Sequence, residues 1–109
     1  MSKNLYIKNN LQISKLTTKN YSTSFSLGVR MLSRQIQEPI YAIYGFVRYA
    51  DEIVDTFHDQ PQQELLDEFI TQTYQAIERG ISMNPILDSF QWVVNKYGIE
   101  RKHIDAFLK

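Results

Sequence analysis

Residues 41–55 read YAIYGFVRYADEIVD, and the reading of this run decides the fold class. No proline interrupts it, and it is apolar over most of its length. Tyr41, Tyr44, Arg48, Asp51 and Asp55 recur at steps of three, four, three and four. On a helix that spacing aligns them in one stripe. Ile43, Val47, Ala50, Val54 and Phe57 form a second, apolar stripe. A helix apolar around most of its circumference is expected to be buried, and carboxylates inside such a helix need a partner or a cation. The run therefore predicts a long helix whose acidic stripe faces a cavity.

Helical signals continue on both sides. Residues 1–19 are polar, with scattered Leu5, Ile7, Leu11, Ile13 and Leu16, and read as a loose lead or a short helix. Ser22, Thr23 and Ser24 offer hydroxyl caps for a first helix to about Ser33. Pro39 suits the first turn of the central helix, which is expected to end near Phe57. His58-Asp59-Gln60-Pro61 is a break, and Leu65, Leu66, Phe69, Ile70, Thr73 and Ile77 trace the apolar face of the next helix. Gly80 is placed as its left-handed cap, Asn84-Pro85 opens a further helix to Tyr97, and Gly98 closes that one. Another begins near Glu100 and still runs at Lys109, with no closing signal. No strand signal or repeat is present, so the expected fold is all-α, and the chain reads as the N-terminal part of a longer helical bundle.

The 109 residues allow one domain at most. Their composition, 43% hydrophobic and 22% charged, is that of an ordinary globular protein. A formal net charge of zero provides no basic field for nucleic acid. The absence of cysteine excludes disulfides, thiolate metal sites and a cysteine nucleophile. No run reaches the roughly 20 apolar residues of a membrane span, and the start lacks the apolar stretch of a signal peptide. The expected location is cytoplasmic, with peripheral attachment to a membrane left open, as is the oligomeric state.

Carboxylates four apart on a helix lie about 5–6 Å from one another at Cβ. Asp51 and Asp55 can thus reach one or two hard cations while water and phosphate oxygens complete the shell. Carboxylate-only donors favour magnesium, or manganese, over zinc. Arg48 can pair with these carboxylates or turn to a diphosphate. An Asp-x-x-x-Asp pair alone is equally at home on a solvated helix or in an Arg48–Asp51–Glu52 ion network. The apolar flanks Phe46, Val47, Ala50, Ile53 and Val54 favour a functional site.

YAIYGFVRYADEIVD resembles the first aspartate-rich motif of the squalene/phytoene synthase family, whose usual form is close to ALYAFCRxADDxVD. YSTSFSLGVRML, from Tyr21 to Leu32, is similar to that family's first-helix motif, commonly HSKSFYLASRLL. The resemblance is specific from about Asn20 to Phe57 and looser to Lys109. It implies that residues 20–109 are the N-terminal portion of an isoprenoid-synthase-type helical bundle, preceded by the polar lead at 1–19. It also implies head-to-head condensation of two prenyl diphosphates, with phytoene from geranylgeranyl diphosphate favoured and squalene or dehydrosqualene as alternatives. On the matching positions, Asp51 and Asp55 resemble the magnesium ligands, and Arg48 the arginine that faces diphosphate. Ser22 resembles the serine that hydrogen-bonds diphosphate, Tyr44 the cavity tyrosine, with Tyr41 one turn before it. Phe25 resembles an aromatic lining the prenyl-tail pocket, and Val29, one turn beyond, is expected on its floor. Tyr21 and Thr23 replace a usual histidine and lysine, and Glu52 a usual aspartate. The family's second aspartate-rich motif would lie beyond Lys109.

Other residues carry less. Trp92, His58, His103, Met31 and Met83 read as core, rim or surface positions, and Arg30 and Arg34 as cations near a helix end. Two rivals remain: a head-to-tail prenyltransferase or terpene cyclase, through Asp51–Asp55 as a variant acidic box, and a non-catalytic helical assembly protein derived from such synthases. Four complete helices and the start of a fifth are too few to close a cavity, so the 109 residues alone are expected to be inactive and to leave apolar surface uncovered.

Overall fold

The computed structural model describes residues 2–108. Six helices follow one another: α1 (Lys3–Tyr21), α2 (Thr23–Arg30), α3 (Arg34–Asp55), α4 (Gln62–Arg79), α5 (Pro85–Tyr97) and α6 (Arg101–Leu108). No strand occurs among the described residues, as expected for an all-α chain. The extension of the last helix through Lys109 lies outside the described residues.

The clearest departure from expectation is at the start. The polar lead is a 19-residue helix packed along α3 and α5. Its inner face is Asn10, Leu11, Ser14, Thr17 and Thr18, so hydrophobic periodicity gave no sign of it. Two of the hydroxyls are satisfied within the helix: Thr17 Oγ1 donates to the Ile13 carbonyl at 3.0 Å and Thr18 Oγ1 to that of Ser14 at 2.9 Å. Small side chains here let the helices approach closely. A Cβ on Gly45 would stand 3.3 Å from Ile86 Cδ1 and 3.4 Å from Ser14 Oγ. Tyr21 meets Arg48 and Lys15 meets Tyr41, so α1 runs parallel to α3.

The helix expected to Ser33 ends instead at Arg30. Gln37 closes the turn after it, its Nε2 donating to the Leu32 carbonyl at 2.8 Å. The central helix begins at Arg34, five residues before Pro39, which is therefore inside the helix. Proline there removes one N–H and leaves the Gln35 carbonyl without its helical donor. Gln35 is exposed, so water can take that bond. The later boundaries match expectation. Gly80 and Gly98 hold left-handed caps at φ 72° and 65°, and Asn84 Oδ1 accepts from Ile86 N and Leu87 N at 3.0 and 3.2 Å.

The core is built around Phe46. Its ring stacks on Phe90 at 3.7 Å between centroids and on Phe69 at 5.4 Å. Ala50, Ala76, Ile86, Leu87, Val94 and Ile104 complete this cluster. Each large side chain so buried contributes about 1.5–3 kcal/mol. Elsewhere apolar surface is uncovered, as the small number of helices led one to expect: Met31 is 88% exposed, and Ile36, Val54 and Phe57 are exposed too.

One buried polar network ties α1 to α5. Asp88 accepts from Asn10 Nδ2 at 2.9 Å, from the Ser82 backbone N–H at 3.0 Å and from Gln91 Nε2 at 3.3 Å. Removing the carboxylate strands two buried amide donors, Asn10 and Gln91, and the part-buried Ser82 N–H, each costly to leave unpaired. Asp88→Ala should therefore lower unfolding free energy by about 3 kcal/mol, measured by urea denaturation; a loss within error would show the network to be dispensable. A second clamp holds α6. The Tyr74 hydroxyl donates to Asp105, and the Arg101 guanidinium lies 4.2 Å from the Tyr74 ring centroid. Burial, then the hydrogen bond to Asp105, pushes the Tyr74 phenol above its ordinary 10.0. The neutral phenol thus stabilises the fold below that pH, and the contribution fades as pH climbs through the raised value. Wild-type melting temperature should fall more steeply above pH 10 than that of Tyr74→Phe.

Candidate functional site

The residues singled out by the sequence converge where α1, α2 and α3 meet. Ser22 is the hinge between the first two helices. Its backbone N–H donates to the Thr18 carbonyl at 2.9 Å, ending α1, and its Oγ accepts from Phe25 N at 3.2 Å, starting α2. That cap occupies a lone pair and leaves the hydroxyl proton uncommitted. One turn into α2, Phe25 stacks on Tyr44 of α3, with centroids 5.0 Å apart and planes 23° from parallel. One turn further along α3, the Arg48 guanidinium lies 5.2 Å from the Tyr21 ring centroid. Ser22, Phe25, Tyr44 and Arg48 are thereby gathered into one neighbourhood.

Arg48 makes its ion pair with Glu52, Nη2 to Oε1 at 3.0 Å, and neither Asp51 nor Asp55 pairs with a cation among the described residues. The expected pairing with the two aspartates is replaced by an i,i+4 contact, the spacing at which helical side chains meet. The Arg48 Nε is buried and has no acceptor among the described residues. The guanidinium therefore has one end committed to Glu52 and one end unspent, beside an aromatic ring that screens it from water.

The acidic stripe does not face the interior of these helices. Asp51 is half-buried and Asp55 exposed, because α3 turns Ala42, Gly45, Phe46 and Ala50 inward instead. The last turn of α3 is nonetheless anchored. Gln62, at the start of α4, donates through Nε2 to the carbonyls of Ile53 and Val54 at 3.0 and 3.1 Å. This holds the segment that bears Asp55 against α4. Among the described residues no three His, Cys, Asp or Glu side chains stand close enough to share a metal ion. Asp51 and Asp55 offer two hard carboxylate donors, which fits an ion such as magnesium that takes the rest of its shell from water and phosphate.

Two candidates are placed elsewhere. Val29 is buried at 3% exposure, whereas Phe25, one turn before it, is 42% exposed, so the two do not share an open surface. Tyr41 is also 3% exposed and lines a separate cavity beside α1. Two residues at the junction were not among the expected site residues: Glu52, which the sequence placed only in an Arg48–Asp51–Glu52 ion network, and Tyr21, noted only as replacing a usual histidine, whose contact with Arg48 crosses between helices and leaves no local signature. An apolar groove of about 260 Å³ between α3 and α6 includes Ile43, Val47, Phe46, Phe90 and Phe107. Val47 places its edge one residue from Arg48 and one turn from Asp51.

Asp51 and Asp55 lack cationic partners, so Asp51→Asn and Asp55→Asn should each change unfolding free energy by no more than about 0.5 kcal/mol. Glu52→Gln removes the anion from Arg48 and should cost up to about 1 kcal/mol. Chemical denaturation of the three variants checks the order; aspartate variants less stable than Glu52→Gln would contradict this pairing.

Comparison with known proteins agrees with the sequence motifs. The family model described as squalene/phytoene synthase matches residues 18–109. A presqualene diphosphate synthase from Rhodopseudomonas palustris is 27% identical over 88 residues, covering 79% of this chain and 30% of that protein. The chain thus spans about a third of the length of that relative. No solved structure matches.

Proposed function

Since the chain belongs to the squalene/phytoene synthase family, we propose that the α1–α2–α3 junction is the diphosphate-handling part of an enzyme that joins two prenyl diphosphates head to head. The observation that carries this reading is Arg48, a half-buried guanidinium with one unspent N–H, set between Tyr21, Tyr44 and the two unpaired aspartates. A scaffold protein would have little use for two carboxylates and a cation left in this state. The head-to-tail and cyclase reading does not call for the Ser22–Phe25 motif.

Family chemistry begins with ionisation of one prenyl diphosphate, proceeds through a cyclopropylcarbinyl diphosphate, and ends in rearrangement. Leaving-group departure concentrates negative charge on the diphosphate oxygens. Arg48 would donate its free Nε–H to one of them, and Ser22 its uncommitted hydroxyl proton to another. Asp51 and Asp55 would hold magnesium, which when bound supplies positive charge to the leaving diphosphate. The Phe25–Tyr44 stack would wall the reacting carbon from water and offer its π-faces to an allylic cation. The groove beyond Val47 would take an apolar chain.

For product identity, the motif resemblance favours geranylgeranyl diphosphate converted to phytoene. The Rhodopseudomonas palustris relative, a presqualene diphosphate synthase, favours a second reading, a presqualene-type product that keeps one diphosphate. Stoichiometry separates the two. Phytoene releases two diphosphates for every two substrates consumed, and a presqualene-type product releases one. In the full-length enzyme, given labelled prenyl diphosphate and magnesium, turnover should fall by about 100-fold or more in Asp51→Asn, Asp55→Asn or Arg48→Gln. Full turnover in all three would remove the junction from the chemistry.

A further inference from the structure

At the other end of the α1–α3 seam lies a cavity of about 150 Å³. Its walls include Lys8, Gln12 and Lys15 from α1 and Arg34, Glu38 and Tyr41 from α3. Three cations face one carboxylate there. None of these four charges has an ion-pair partner within reach among the described residues. Exposed lysines alone imply nothing, since solvent satisfies them. The inner wall is different. Tyr41 is 3% exposed, the Lys15 ammonium lies 5.8 Å from its ring centroid, and its buried hydroxyl has no hydrogen-bond partner among the described residues. A buried hydroxyl is costly to leave unpaired, and a cavity whose wall charge is positive selects an anionic acceptor for it.

We propose that this cavity binds a phosphate-class oxyanion, drawn in by Lys8, Lys15 and Arg34 and accepting a hydrogen bond from the Tyr41 hydroxyl. The volume is about five times the roughly 30 Å³ that one water occupies in the liquid, which accommodates a diphosphate. The site is distinct from the Asp51–Asp55 stripe. Tyr41 and Arg48 are seven residues apart, about 10 Å along the helix axis at roughly 1.5 Å per residue. The cavity's own cations supply the charge, so binding needs no metal. Glu38 opposes the anion and keeps the affinity modest. The same chemistry is offered by free diphosphate and by the phosphate headgroup of a lipid.

The test is calorimetric titration of the 109-residue chain with inorganic diphosphate in chelator and low salt, alongside sedimentation with vesicles containing phosphatidic acid. Saturable binding at one site is expected, weakened about tenfold by Lys15→Gln and further by Lys8→Gln with Lys15→Gln. These lysines are exposed, so circular dichroism should show the fold unchanged. Tyr41→Phe should weaken binding several-fold, and Lys102→Gln, an exposed lysine of α6, should leave it unaltered. Binding of free diphosphate that fails in the lysine variants assigns a soluble anion. Vesicle binding alone, lost in the same variants, assigns a lipid headgroup. No binding to either probe overturns the proposal. So does binding indifferent to the lysine substitutions, which would mark an adventitious ion only, and so does binding abolished by Arg48→Gln, which would move the anion to the acidic stripe.

Discussion

The stack of Phe46 on Phe90 sets the rotation of α3 about its own axis, and the remaining arrangement follows from that angle. With these rings 3.7 Å apart and nearly parallel at 6°, Ala42 and Ala50, one turn either side, must also point inward. Gly45 then faces Ser14 and Ile86, where a side chain would meet atoms at 3.3–3.5 Å. The helix has 3.6 residues per turn, so fixing this face fixes the other. Tyr44, Arg48 and Asp51 are carried to the side where α1 ends and α2 begins. A helix turned by one residue, about 100°, would bring Val47 toward the Phe90 position and take Arg48 away from Tyr21. Core packing and the geometry of the charged stripe are therefore one constraint.

Much of this was legible in the sequence wherever the determinant was local. Gly80, Asn84-Pro85 and Gly98 mark helix ends through backbone and cap chemistry involving residues within a few positions, and each stands where it was expected. The helical run that carries Asp51 and Asp55 was legible for the same reason, but not the face it buries, which is Ala42, Gly45, Phe46 and Ala50. The polar helix α1 was not. Its buried face is Asn10, Ser14, Thr17 and Thr18; the two threonine hydroxyls find partners one turn away and Asn10 finds one seventy-eight residues later at Asp88. Periodicity of apolar residues is blind to a helix that packs by small size and internal hydrogen bonding. Pro39 misled in the opposite sense. A proline marks a helix start reliably only when nothing upstream satisfies the backbone, and here Ser33 and Gln37 support the turns before it.

Arg48 shows how charge on this surface is apportioned. A guanidinium has five N–H donors and cannot be deprotonated, so it must spend them. Glu52 takes one at 3.0 Å and the Tyr21 ring covers a face. This arrangement orients the group at modest energetic cost, since a half-buried, water-accessible i,i+4 pair contributes on the order of 1 kcal/mol. The longer arm of glutamate, where relatives of the motif commonly carry aspartate, lets Glu52 reach back one turn. Asp51 and Asp55 are thereby relieved of neutralising the arginine, and their carboxylates stay open to other ligands.

Tyr41 and Tyr44 lie on the same stripe only three residues apart, yet their surroundings have nothing in common. Tyr44 stacks on Phe25 and is half-buried; Tyr41 is enclosed beside Lys15 with an unpartnered hydroxyl. The difference comes from the crossing of α1 over α3. Near Tyr21 the first helix has ended and the chain turns through Ser22 into α2, which opens a junction. Seven residues earlier the same helix is continuous and closes over the ring. A shared helical face thus specifies direction but not destination. The destination is settled by where the neighbouring helix stops, and here that point is set by the Ser22 cap, which terminates one helix and begins the next with a single residue.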